Sequence, residues 1–145
     1  MVYADTMSRT REVQTRLQEL EQRKMVTRVI TEKVEYILSL RAEDGMTWGG
    51  TKGDLLELLH EVYVHGTILA PDGKPMTMTE LVRRAFGVLG MTVMKNIAAH
   101  ARRAEQRKGV RRQSIMARIR MILQQSDADY RLRKLWNEHF VLYGT

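Results

Sequence analysis

Residues 8–41 of this chain contain neither glycine nor proline, so nothing in this stretch would interrupt a helix. Apolar side chains recur here at three- and four-residue spacing, which is the pattern of a buried helical face. The first group is Val13, Leu17 and Leu20, and the second is Val26, Ile30, Val34 and Ile37. The pattern predicts one long helix, or two helices with a break near Lys24–Thr27.

The middle of this stretch also has a competing interpretation. Its β-branched residues, at positions 26–31, favour a strand. The stripe of Val13, Leu17 and Leu20 is thin for burial within one small domain. It either packs on the chain's own core or pairs with the same helix of a second copy, which makes residues 8–30 a candidate homodimer interface.

Capping signals predict the next two helices. Thr51 and Asp54 have capping-box spacing at the start of a helix that ends at Gly66, and its buried face is Leu55, Leu58, Leu59 and Val62. Thr77 and Glu80 repeat the spacing before a short helix that ends at Gly90. Between the two helices, Thr67–Met78 contains the turn sequence Pro-Asp-Gly and predicts a β-hairpin.

A basic helix at residues 92–108 is expected to follow the turn at Gly90. A helix, a short turn and a second, basic helix have the layout of a helix-turn-helix, here Thr77–Lys108. A helix at about 112–125 and a last helix that Ser126 and Asp129 cap are expected to complete the core. The last of these has an aromatic and aliphatic stripe made of Leu132, Leu135, Trp136, Phe140 and Tyr143.

The predicted fold is therefore mainly α, a helical domain with one short β-hairpin. It is helix-turn-helix or winged-helix-like and is preceded by a long N-terminal helix. Residues 1–45 form the N-terminal helical segment with its possible dimer interface. Residues 46–145 are expected to form a helix-turn-helix-like domain, a layout common to DNA-binding proteins.

Positive charge is concentrated in residues 95–120, which hold nine Lys or Arg and one acid, whereas the rest of the chain sums to −1. Arg, Asn and Gln can bind base edges, and Arg and Lys bind phosphate. A solvated helix face or an acidic protein partner is the alternative, but so much charge in one segment favours a polyanion. The candidate nucleic-acid-binding residues are Lys95, Asn96, Arg102, Arg103, Gln106, Arg107, Lys108, Arg111, Arg112 and Arg118. DNA is the expected partner, and RNA is the alternative.

Other classes of function have little support in the sequence. The absence of cysteine excludes disulfides, thiolate metal sites and cysteine nucleophiles. The four histidines have no metal-ligand spacing, so we expect neither an enzyme nor a cofactor or metal site. The longest uncharged run, Ala85–Met94, is too short to span a bilayer, and the first 25 residues have no apolar signal-peptide core. A cytoplasmic protein with no membrane partner is expected.

One segment resembles a known family. The sequence from Trp48 to Leu59, WGGTKGDLLELL, resembles the W-x-G-[ST]-K-x-[DE]-L-x-E-L signature of the RteC family, which are regulators from conjugative tetracycline-resistance elements. The similarity continues loosely through Gly66, Phe86 and residues 107–116, and so covers about residues 46–125. It implies a helix-turn-helix or winged-helix DNA-binding regulator of excision or transfer, similar to the C-terminal half of family members. The Trp48–Asp54 motif itself is expected to anchor and cap a core helix.

Overall fold

The structure is a computed structural model that describes residues 2–106 and 114–142. Within these ranges the chain is mainly helical, as the sequence predicts. Its helices are α1 (Val2–Ser39), α2 (Lys52–His65), α3 (Met78–Val88), α4 (Ile97–Gln106), α5 (Ile115–Leu123) and α6 (Ala128–His139). A 3₁₀ turn at Ala42–Asp44 and the short strands β1 (Met46–Trp48) and β2 (Phe140–Leu142) complete the described elements.

The stretch without glycine and proline forms one unbroken helix, and neither a break near Lys24–Thr27 nor a strand is present. Val26, Ile30, Val34 and Ile37 are all buried, which confirms the predicted core face. They pack in one hydrophobic core with side chains from α2, α3, α5 and α6. The second half of α1 is therefore part of the same core as the elements that follow it.

The boundaries of α2 and α3 follow the predicted local signals. The Thr51 hydroxyl accepts a hydrogen bond from the Asp54 backbone N–H at 3.1 Å, and Thr77 does the same for Glu80 at 3.2 Å. Gly66 ends α2 in the left-handed region, with φ +59°, where a side chain would be strained. Leu58 and Phe86, from these two helices, have no exposed surface.

The β structure lies only partly where it is predicted. Thr67–Met78 has only a single bridge, between Leu69 and Pro75, closed by a turn at Gly73. The two-stranded antiparallel sheet instead pairs β1 with β2, and Trp48 is opposite Phe140. The expected hairpin at Thr67–Met78 is present only as a tight turn with one antiparallel bridge, in which the Met76 N–H donates to the Ile68 carbonyl oxygen at 2.8 Å, and it has no regular strands.

The last helix also differs from its prediction. It ends at His139, where the chain extends into β2, so Phe140 lies on a strand. Leu135, Trp136 and Phe140 are buried and Leu132 packs against the core, while Tyr143 lies outside the described residues. None of the described helices combines the length and apolar character needed to span a membrane.

Candidate nucleic-acid interface

The candidate interface is centred on α4, which packs on α2 and α3. The helix begins at Ile97, five residues later than the predicted start at 92. The intervening residues Met91, Val93 and Met94 are non-helical and partly buried against the core. These side chains pack against the core from a non-helical link, and the helix predicted at 92–108 therefore starts later than expected.

Asn96 marks the start of α4. Its side-chain oxygen accepts a hydrogen bond from the Ala99 backbone N–H at 3.2 Å, so Asn96 is the N-cap of the helix. The predicted use of Asn96 at base edges therefore competes with a structural one. Its amide nitrogen, a donor, is not used in the cap.

Lys95, Arg102 and Arg103 are exposed, as predicted for residues that meet a partner. Among the residues the structure describes, no carboxylate forms an ion pair with any of the three. Arg102 and Arg103 are exposed on α4, whereas Ile97 of the same helix packs against the core. Three cations are therefore exposed on one short segment, and the helix in this segment packs on α2 and α3.

The remaining predicted residues divide into two groups. Arg107, Lys108, Arg111 and Arg112 lie outside the described residues, and so does the side chain of Gln106. Arg118, on α5, is described, and its environment is unlike that of the α4 cations. Its side chain is only 35% exposed and is turned toward Asp54 and His139.

Arg118 belongs to a polar cluster that joins α5, the start of α2 and the end of α6. One of its terminal nitrogens lies 3.4 Å from an Asp54 carboxylate oxygen and 3.5 Å from Nε2 of His139. Nδ1 of the buried His139 lies 2.7 Å from the Leu135 carbonyl oxygen, which can only accept. In the neutral ring Nδ1 therefore donates, and Nε2 is free to accept from Arg118.

The Trp48–Asp54 motif forms one wall of this cluster. The Trp48 indole N–H donates to the Thr51 carbonyl oxygen at 2.8 Å, and its ring packs against His139 and Phe140. The motif anchors the start of α2 to the end of α6. Arg118 therefore contributes to this internal junction, which makes it a weaker candidate for the interface than the exposed cations of α4.

The sequence contains little that could have revealed this cluster, because its partners are far apart along the chain. One signal is the position of Arg118, three residues after buried Ile115 and next to buried Ile119. This places the arginine at the margin of the buried face of α5. A cation at that margin extends its stem along the core and directs its head to a polar group.

The described residues contain no group of three or more His, Asp or Glu side chains that could hold a metal ion. No protein-family model matches the chain, and neither a curated protein nor a solved structure shows significant similarity to it. The resemblance of Trp48–Leu59 to the RteC signature therefore stays a prediction from the motif.

Proposed function

We propose that this protein binds nucleic acid, DNA in particular, through α4 and the basic residues that follow it. The observation that supports the proposal best is the exposure of Lys95, Arg102 and Arg103 without a described carboxylate partner. They belong to residues 95–120, which contain nine Lys or Arg and a single acidic residue. Such a charge density favours phosphate, because binding releases condensed counterions from the nucleic acid.

The packing of α2, α3 and α4 on one another supports a helix-turn-helix-like arrangement. In such an arrangement α3 is the first helix of the motif and α4 is the recognition helix, which enters the major groove. The connection, Leu89–Asn96, is longer than the three or four residues of the common motif. Its second residue, Gly90, has φ +67°, and the Met91 N–H donates to the Phe86 carbonyl oxygen at 2.8 Å.

The chemistry of the exposed groups gives each a role in this proposal. Arg102 and Arg103 are suited to guanine edges or to phosphates, because the guanidinium presents a planar fork of donors. Lys95 is suited to phosphate. Further contacts to the phosphate backbone of the DNA would come from Arg107, Lys108, Arg111 and Arg112. The motif resembling the RteC family suggests that the protein regulates transcription, or the excision and transfer of a mobile element.

Fluorescence anisotropy with mixed genomic DNA fragments tests the proposal. We expect binding at low salt that weakens steeply at moderate salt, and a competing RNA of equal length to be less effective than DNA. An absence of binding at low salt would instead indicate a helical interaction module whose basic face meets an acidic protein. If the protein binds DNA, sequencing of the nucleic acid recovered with it from cells would identify the target.

A further inference from the structure

The N-terminal part of α1 extends beyond the hydrophobic core. Among the α1 side chains that the structure describes, from residue 8 onward, the first buried one is Val26, and side chains 8–25 are exposed apart from the half-buried Gln22. At 1.5 Å per residue this overhang is about 27 Å long. Most helical stability in proteins comes from packing of an apolar face, and this overhang has no such packing within the one chain.

An apolar stripe runs along the overhang. Val13, Leu17 and Leu20 are 53%, 56% and 49% exposed, and their spacing of four and then three residues is that of a coiled-coil seam. Thr10 and Lys24 extend the seam by one position at either end. Beyond Lys24 the same face meets the chain's own α2 region, where the Thr27 hydroxyl donates to Glu61 and the Thr31 hydroxyl to Thr67.

We propose that a second copy of this chain covers the stripe, and that the two α1 helices form a short parallel coiled coil. The heptad register places Thr10, Leu17 and Lys24 at the a positions. Val13 and Leu20 occupy the d positions. Leucine or valine at these positions fills the facing holes, and a single lysine at an a position fixes the register.

The flanking charges select both the partner and its orientation. The g positions are Arg9, Arg16 and Arg23, and Glu21 is at an e position. In a parallel pair, Arg16 of each helix faces Glu21 of the second copy, which gives two symmetric ion pairs. An antiparallel pair would set arginine against arginine along the g positions. The helix is thus complementary to a parallel copy of itself.

The length of the coiled coil is limited by the core. Val26 and Ile30 turn toward the chain's own domain, so the two helices must separate after Lys24. About two heptads remain, and the association is therefore concentration-dependent. The inference does not depend on nucleic-acid binding. Where that function holds, the parallel orientation places both basic segments at the same end of the coiled coil, as a two-fold symmetric target requires.

Sedimentation or light scattering of the full chain over a concentration series tests the dimer. We expect the mass to approach twice that of one chain. The pair Leu17→Glu with Leu20→Glu is expected to give a monomer at the same concentrations. The pair Thr15→Glu with Gln18→Glu adds the same charge to the other side of the overhang and should remain dimeric. Because all four positions are exposed, neither variant should disturb the core, and only the pair Leu17→Glu with Leu20→Glu should lose helical circular dichroism from the overhang.

The charge argument has its own test. Glu21→Arg should weaken the dimer by placing arginine opposite Arg16, and the second change Arg16→Glu should restore it. For orientation, Val13→Cys is suitable because the chain has no other cysteine. In a parallel pair this cysteine faces itself, so mild oxidation should link two chains, whereas Thr15→Cys should stay unlinked.

Three results would overturn the proposal. A wild-type chain that is monomeric up to millimolar concentration has no second copy on its stripe, even if another protein binds there. A dimer that survives Leu17→Glu with Leu20→Glu uses a different surface. A dimer in which Val13→Cys fails to cross-link is not parallel in this register.

Discussion

The indole ring of Trp48 lies against the imidazole ring of His139, with ring centroids 5.2 Å apart and ring planes inclined by 42°. Each ring is held by its own hydrogen bond, Trp48 to the Thr51 carbonyl oxygen and His139 to the Leu135 carbonyl oxygen. The contact joins the segment before α2 to the end of α6. It fixes the junction in which Asp54 and Arg118 also meet.

Gly50 lies against this ring pair, and we predict that Gly50→Ala destabilises the fold. A methyl group at this position would lie 2.8 Å from a Trp48 ring carbon and 2.9 Å from a His139 ring carbon. Because both rings are hydrogen-bonded, they cannot move aside freely, and overpacking of this kind costs about 1–3 kcal/mol. Chemical denaturation measures the loss.

Gly87→Ala is the matched control for this prediction. Gly87 lies inside α3, and no atom is within 4 Å of the position of an added methyl group. Replacing a helical glycine by alanine should stabilise the protein by up to about 1 kcal/mol. The two identical substitutions should therefore act in opposite directions. Equal stability of the Gly50→Ala variant and the wild type would contradict the packing described for Trp48 and His139.

We predict that Arg118 supports the fold and that Arg102 and Arg103 support binding. Arg118→Gln removes a partly exposed ion pair and a contact to His139, so we expect a loss of about 1 kcal/mol or less in the free energy of unfolding. The same variant should bind DNA with an unchanged salt dependence. Arg102→Gln should show the reverse, with unchanged stability and weaker binding. If Arg118→Gln binds DNA more weakly while its fold is intact, Arg118 is part of the interface.

Lys33 gives the stability of the protein a predictable dependence on alkaline pH. Burial lowers the pKa of Lys33 below its ordinary value of 10.5, although Tyr36 and Phe140 place ring centroids 5.1 and 5.5 Å from its nitrogen. Between the lowered pKa and 10.5 the unfolded chain binds more protons than the folded one. The free energy of unfolding therefore rises with pH in that range.

The variant Lys33→Met keeps the aliphatic stem and lacks the titrating group. Wild type should gain stability relative to this variant as the pH rises toward 10.5, because the burial cost of the ammonium is relieved. Urea denaturation of both proteins at a series of alkaline pH values measures the difference between their free energies of unfolding. A difference that does not change with pH would show that Lys33 titrates alike in the folded and the unfolded chain.

Local signals in the sequence account for much of the fold. The caps at Thr51 and Thr77 involve groups only three residues apart, so their spacing alone predicts where α2 and α3 begin. The periodicity of Val26 to Ile37 likewise predicts the buried face of α1, because a regular helix places these side chains on one side.

Long-range contacts account for what the sequence does not predict. The strands β1 and β2 are three residues each, too short for an alternating pattern, and their pairing joins residues 94 positions apart. The start of α4 depends on how Met91 and Val93 pack against the core. The Arg118–Asp54 pair spans 64 positions, and no spacing in the sequence indicates it.

The candidate interface was predictable only in part for the same reason. Charge density alone indicates the basic segment, since it needs no knowledge of the fold. It cannot distinguish an arginine that faces solvent, such as Arg102, from one that meets an internal carboxylate, as Arg118 does. That distinction depends on which side chains the packing of the helices brings together.

The salt dependence of DNA affinity tests the central claim most directly. If roughly five phosphates are neutralised, the slope of log affinity against log salt should be about −4 to −5. Arg102→Gln with Arg103→Gln should reduce its magnitude by about 2. The control pair Arg133→Gln with Lys134→Gln removes the same charge from exposed positions on α6 and should leave the slope unchanged. A slope that neither pair alters, or an absence of binding at low salt, would contradict the claim that this basic surface meets phosphate.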